Sequence, residues 1–216
     1  GTVALAHNNA LATNSVLGGS ANVVLQVANG VTVAGDLTVS DADNNKYLQL
    51  EPGGNRTGEF AGDVTVEEVT NGNFDLRSSG SGNNDTTQVF TVSGKITATS
   101  GSGLEIRGDG VVNLSNSDND ISGTINVANN GSTLRVSHGG ALGLADQVLL
   151  PEANTIVQLT DGVTTPTNTQ LYVENDNGYH QLEMLSSGAA AESATFAGPI
   201  YSAEMDTSSF RLRVND

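Results

Sequence analysis

The sequence predicts an all-β fold of the stacked kind, a parallel β-helix, and three observations carry that expectation. Short alternating runs of Val, Leu, Ile and Thr recur along the whole chain, each three to five residues long. Turn-forming pairs separate them at short intervals, among them Asn29-Gly30, Gly53-Gly54, Asn71-Gly72, Asn130-Gly131, Gly139-Gly140 and Asp161-Gly162. Finally, the end of the chain repeats its beginning. His7-Asn-Asn-Ala-Leu11 returns as His138-Gly-Gly-Ala-Leu142, Gln26–Val31 as Gln158–Val163, and Tyr47–Glu51 as Tyr179–Glu183. Phe60-Ala61-Gly62 matches Phe196-Ala197-Gly198, and Phe74–Arg77 matches Phe210–Arg213. The offset drifts only from 131 (His7 to His138) to 136 (Phe74 to Phe210), as a few loop insertions would produce. Internal repetition in a β-rich chain points to a solenoid whose copies stack, and to structure or display rather than catalysis.

In chain order, alternation predicts strands at Val23–Val27, Val31–Val33, Leu37–Val39, Tyr47–Leu50, Val64–Val66, Phe74–Arg77 and Val89–Val92. It continues with Lys95–Ala98, Leu104–Arg107, Val111–Leu114, Thr124–Val127 and Thr133–Val136. Alternation places one side of each strand inside and the other in water. A sandwich or barrel would use longer strands joined by hairpins; short strands, frequent corners and small apolar residues favour the solenoid. Ser187–Ala194 is the one helical candidate and reads as a loop or single turn. The chain reads as one solenoid over 1–216, with a first repeat period over 7–137 and a partial second over 138–216. Roughly 8–10 coils are expected, spanning about 40–50 Å at the spacing of paired strands.

Composition narrows the function classes. Only 37% of the 216 residues are hydrophobic, with 5 Phe, 4 Tyr and no Trp, which suits a narrow β interior better than a wide core. The formal charge of −16, from 24 acidic and 8 basic residues, argues against nucleic acid and anionic lipid as partners. Such acidity keeps a long β body soluble and discourages lateral association. The absence of Cys removes disulfides, thiolate metal sites and thiol catalysis. No stretch approaches the ~20 apolar residues of a membrane-spanning helix.

Gly110–Gly143 carries a further pattern: Gly-Val-Val-Asn-Leu, then Asn119, Gly123-Thr124, Leu134-Arg135-Val136 and a closing Gly140-Ala141-Leu142-Gly143. It resembles the autotransporter-associated β-strand repeat, with Ile121 standing where that family usually has an aromatic. Gly1–Leu11 is similar to the closing strand and Ala-Leu element of a preceding copy. The resemblance implies a right-handed parallel β-helix in a bacterial surface or secreted protein, and no enzyme.

Site candidates follow from residue chemistry. Asp41, Asp43, Asp118 and Asp120 sit at alternate positions in Asn/Asp-rich loops and offer hard oxygens to Ca²⁺, though solvated turns capped by Asx side chains use the same residues. No other cofactor is expected. His7 and His138 occupy matched positions before a turn, where a ring bond to a corner carbonyl is expected. Glu67-Glu68 with Arg77, or Glu105 with Arg107, would be the acid/base clusters of a β-helix enzyme, but nothing in the sequence makes them converge. Both chain ends read as strands without caps, so Thr2, Val3 and Leu5 at one end and Phe210, Leu212 and Val214 at the other are expected to engage another copy or flanking copies of the repeat. The expected function is a non-enzymatic extracellular filament, stalk or surface layer. The alternative is an adhesin that binds a host or glycan ligand through its loops, which a cluster of Tyr172, Tyr179 and Tyr201 on one face would favour.

Overall fold

The computed structural model describes residues 1–67, 69, 73–80, 82, 84–99, 103–174, 178–188, 192–203 and 209–215. These residues form strands and connections and no helix, so among them no helix is long and apolar enough to cross a membrane. Twenty-one strands follow one another, and every pairing between them is parallel. They fall on three lines, which the chain visits in turn as far as Val127; beyond it the strands alternate between two of them.

The first line holds β1 (Thr2–Leu5), β3 (Val23–Val27), β6 (Lys46–Leu50), β9 (Phe74–Arg77), β12 (Leu104–Arg107), β14 (Asp120–Val127), β16 (Leu144–Leu150), β18 (Gln170–Val173) and β20 (Ile200–Ser202). The second is the 8-stranded sheet: β4 (Thr32–Val33), β7 (Thr57–Phe60), β10 (Asp85–Val92), β13 (Gly110–Leu114), β15 (Thr133–Val136), β17 (Ile156–Thr160), β19 (Tyr179–Leu185) and β21 (Ser209–Asn215). The third is β2 (Ser15–Gly19), β5 (Leu37–Ala42), β8 (Val64–Val66) and β11 (Ile96–Ala98), ending on the first residues of β14. First and third lines merge into one 13-stranded sheet because β14 turns the corner without breaking: Asp120 and Ile121 pair with β11, Ile125–Val127 with β12. Gly123 makes the bend, at φ +84, a backbone conformation open to glycine.

Strand partners lie one circuit apart, from 21 residues (Ile106 to Val127) to 32 (Thr57 to Val89). Inward residues therefore stack into columns. Leu25, Leu48, Leu76, Ile106 and Val127 form one, Val33, Phe60, Val92, Leu114, Val136 and Leu159 another, and all are buried. Lys46 sits in a third column, between Val23 on one side and Phe74, Leu104 and Ile125 on the other. Its stem is fully buried, and its ammonium donates to the carbonyls of Asp43 (2.5 Å) and Asn44 (3.1 Å) in the preceding turn.

Corners repeat as faithfully as strands. Gly35, Gly62 and Gly94 lie over one another where the second line turns into the third. A Cβ on Gly62 would stand 2.2 Å from the Gly35 carbonyl oxygen, and one on Gly94 at 1.8 Å from that of Gly62. Beside them Asp36 Oδ1 accepts from the Asp63 N–H (2.9 Å), and Asp63 Oδ1 from the Lys95 N–H (2.8 Å). Asn119, in the motif stretch, clasps three levels. Its Oδ1 accepts from the Ile96 N–H and its Nδ2 donates to the Ala141 carbonyl, both at 2.8 Å. Ala141 belongs to the closing Gly-Ala-Leu-Gly element, so the parts of the motif touch each other.

Each of the twelve runs predicted from alternation overlaps an observed strand. Within Ser187–Ala194, residues 189–191 lie outside the described ones, and the rest is irregular. The internal repeat takes an unexpected place in this frame. β3, β6 and β9, on the first line, match β17, β19 and β21 on the second. The second copy is thus displaced by one strand line. Gly62→Ala is expected to lower stability by about 1–3 kcal/mol, because backbone rather than a mobile side chain blocks the new methyl group. Gly82→Ala, with open space around it, is expected to stay within ~0.5 kcal/mol. Equal urea midpoints for the two variants would contradict the stacked-corner account.

Candidate functional site

Outward-facing residues also align from level to level. On the first line, one outward column runs Val24, Tyr47, Asp75, Glu105, Asn126, Leu149, Tyr172, Tyr201. The next runs Gln49, Arg77, Arg107. Their middle forms the densest charged cluster among the described residues. Asp75 is fully buried although its strand position faces outward. Its Oδ2 meets Arg77 Nη2 at 3.3 Å and Arg107 Nε at 3.4 Å, while its Oδ1 has no hydrogen-bond partner. Glu105, also buried, pairs with Arg107 Nε and accepts from Asn73 Nδ2 (2.6 Å) and Asn126 Nδ2 (3.3 Å). The Arg77 guanidinium lies over the Tyr47 ring, 4.5 Å from its centre.

Burial, and then the charge of Glu105, push the Asp75 carboxyl up to about 7, against the pull of Arg107 and Arg77. Two carboxylates on adjacent strands thus sit in different environments, as acid/base chemistry requires. However, both are buried; Asp75 Oδ2 faces the two arginines, and Glu105 is engaged by Arg107, Asn73 and Asn126. Two grooves lie elsewhere. One, about 320 Å³, is lined by Gly30, Thr32, Gly58, Glu59 and Thr91 on the second line. The other, about 340 Å³, is lined by Leu159, Met184, Phe196, Ile200 and Leu212. Of the clusters named from sequence, Glu105 and Arg107 do meet; Glu68 lies outside the described residues. Asp75 was not singled out, because nothing within 20 residues of it in the chain reveals that Glu105 lies alongside.

The second line carries a longer polar column: Thr32, Glu59, Thr91, Asn113, Arg135, Gln158, Glu183, Arg213. Here neighbours complement one another. Thr32 Oγ1 donates to Glu59 (3.1 Å), Arg135 Nε to Gln158 Oε1 (3.1 Å) and Gln158 Nε2 to Glu183 Oε2 (3.0 Å). The sequence signal was present but weak: polar residues at the same strand position, a circuit apart.

The remaining candidates fall as follows. Asp118 is exposed in a turn held by its own N–H to Asn116 Oδ1 (2.8 Å), Asp43 is exposed in the connection between β5 and β6, and Asp120 is exposed as the first residue of β14; the side chain of Asp41 lies outside the described ones. Among the described residues, no three His, Cys, Asp or Glu gather as a metal would need. The His7 and His138 carbonyls accept from Ala10 and Ala141 N–H groups, both at 3.0 Å, so the matched turns are alike. The expected ring bond to a carbonyl is corrected: His138 Nδ1 faces the Gly140 N–H at 3.2 Å, because in this turn the nearest backbone group presents its donor. Tyr172 and Tyr201 are paired on the first line, whereas Tyr179 lies on the second beneath Arg211 (4.4 Å), so the three do not share a face.

At the ends, Val3 is 52% exposed, Leu212 71% and Val214 63%, with Thr2 exposed and Phe210 partly buried. Leu5 is the exception, buried in register with Val27 by the next level. Val16, 67% exposed, with Ile200 and Tyr201, completes the apolar ends and was missed because β2 and β20 are short and lack clean alternation. No known family, curated protein or solved structure matches this chain.

The Asp75 carboxyl ionises at about 7 in the fold against an ordinary 3.8, so the native state holds its proton more tightly. That contribution to stability is full below the unfolded value and is lost as pH rises through about 7. Asp75→Asn keeps the shape without the charge. The variant is expected to exceed the wild type by ~1–3 kcal/mol at pH 8 and to converge with it below about pH 4, where the unfolded carboxyl is protonated as well. Parallel melting curves for the two proteins between those pH values would refute the raised carboxyl.

Proposed function

We propose that the chain is a right-handed parallel β-helix with a mechanical, non-enzymatic role, a rod of an extracellular filament, stalk or surface layer that assembles end to end. Cyclic visiting of three parallel lines supports the helix. Its hand follows from the strong preference of parallel crossover connections for the right-handed path. The extracellular setting follows the resemblance to autotransporter-associated repeats.

One observation carries the assembly reading: the buried columns run the length of the rod and end in exposed apolar side chains. Val3 begins the column of Leu25, while Leu212 and Val214 extend those of Leu182 and Met184. β1, β2 and β4 at one end, and β20 and β21 at the other, are sheet edges with unpaired backbone groups. Edges and exposed columns together form a template for another parallel strand. The charge of −16 opposes sideways aggregation and leaves the ends as the favoured contact. Leu212→Asp with Val214→Asp is expected to abolish concentration-dependent oligomers in sedimentation and filaments in electron micrographs, with circular dichroism unchanged. Monomeric rods of the unmodified protein at every concentration would overturn the reading.

A second reading, ligand display, draws on Leu149, Tyr172 and Tyr201, which form an outward stripe on adjacent strands. Such a stripe suits stacking against a sugar ring. Tyr172→Ala is expected, on this reading, to weaken binding to a glycan panel at least tenfold while leaving assembly intact. No glycan retained by the unmodified protein would remove it.

A further inference from the structure

We propose, resting on the end-to-end reading, that a second copy docks turned by one strand line, its β1 adding in parallel to β21 of the first, with Val3 beside Leu212 and Leu5 beside Val214. The chain already contains one junction of this kind. Thr2-Val3-Ala4-Leu5 of β1 matches Thr133-Leu134-Arg135-Val136 of β15. β1 heads the first line, but β15 lies on the second, stacked on β13, with Val112 beside Leu134 and Leu114 beside Val136. β3, β6 and β9 return in the same way as β17, β19 and β21. One copy of the repeat therefore rests on another with its first line over its neighbour's second. A separate molecule obeying that rule sets β1 on β21.

Side chains at the two edges fit this register. Leu212 and Val214 are the free ends of the columns Val112–Leu134–Val157–Leu182 and Leu114–Val136–Leu159–Met184. Val3 and Leu5 have the same inward phase on β1, since they pair with Leu25 and Val27. Arg213 then falls beside Ala4, whose small side chain leaves the guanidinium its room. Charge agrees as well: β21 bears Arg211 and Arg213, two of the 8 basic residues, while the first 45 residues hold three aspartates and no Lys or Arg. Stacking without the turn would set β21, seven residues long, on β4, which has only two to pair. β1 offers four.

The absence of Cys allows a clean cross-linking test. Partners on adjacent parallel strands lie about 4.8 Å apart, within disulfide reach. The double variant Val3→Cys with Leu212→Cys reports the turned junction, and Thr32→Cys with Arg213→Cys the unturned one. All four positions are at least partly exposed, and reduced samples are first checked for native circular dichroism and melting. Under mild oxidation the first variant is expected to give a ladder of covalent multiples of 22.1 kDa, at least tenfold above the second, with single variants stopping at dimers. A ladder from the second variant alone overturns the turned register but keeps end-to-end assembly. No ladder from either, with oligomers still sedimenting, overturns the register and points to lateral contact. No ladder and no oligomers sinks the assembly reading itself.

Discussion

Parallel pairing between strands one circuit apart is the constraint on which the rest of this structure depends. Every strand takes its hydrogen bonds from neighbours 21–32 residues away, and no described pair forms a hairpin. Each position is therefore judged by what stands directly above and below it. Gly35, Gly62 and Gly94 tolerate one another only because none has a side chain, and Asp36 and Asp63 each cap the next level's backbone. Such corners hold together by repetition, so an error in one level is felt by its neighbours.

The same stacking explains the electrostatics. Columns place like strand positions side by side, and the outcome depends on what the sequence puts there. On the second line, Arg135, Gln158, Glu183 and Arg213 alternate donors with acceptors. On the first, Asp75 falls beside Glu105, and only the adjacent Arg77 and Arg107 make the pair tolerable. Burial and the neighbouring Glu105 charge raise the Asp75 carboxyl, and the two arginines pull it back. Asp75 Oδ1 has no hydrogen-bond partner, while the oxygens of Glu105 are taken by Arg107, Asn73 and Asn126.

Much of this was legible locally. Runs such as Val23–Val27 and Leu104–Arg107 declare themselves by alternation, and they are strands. Asn119 and Gly123 stood out as motif residues, and they are the clasp and the bend of one corner. β2 hid behind its glycines and β18 behind a single clear alternation, Leu171-Tyr172-Val173. β14 was longer than expected because a glycine lets hydrogen bonding continue around a corner where alternation restarts. Buried Lys46 was invisible, since a lysine at an inward position contradicts the pattern unless nearby carbonyls take its ammonium.

The sequence by itself determined the all-β class, most strands, the turns and the residue types of the columns. These depend on neighbours within a few residues: alternation sets the inward face, and Gly and Asn set the corners. Only the tertiary structure decided which strand lies over which. Circuit length is the sum of its strands, three before β14 and two after it, and of the loops between them, and loops of unequal length move the register without changing any local pattern. That is why the matched halves of the chain share their strands but not their lines, and why Asp75 met Glu105.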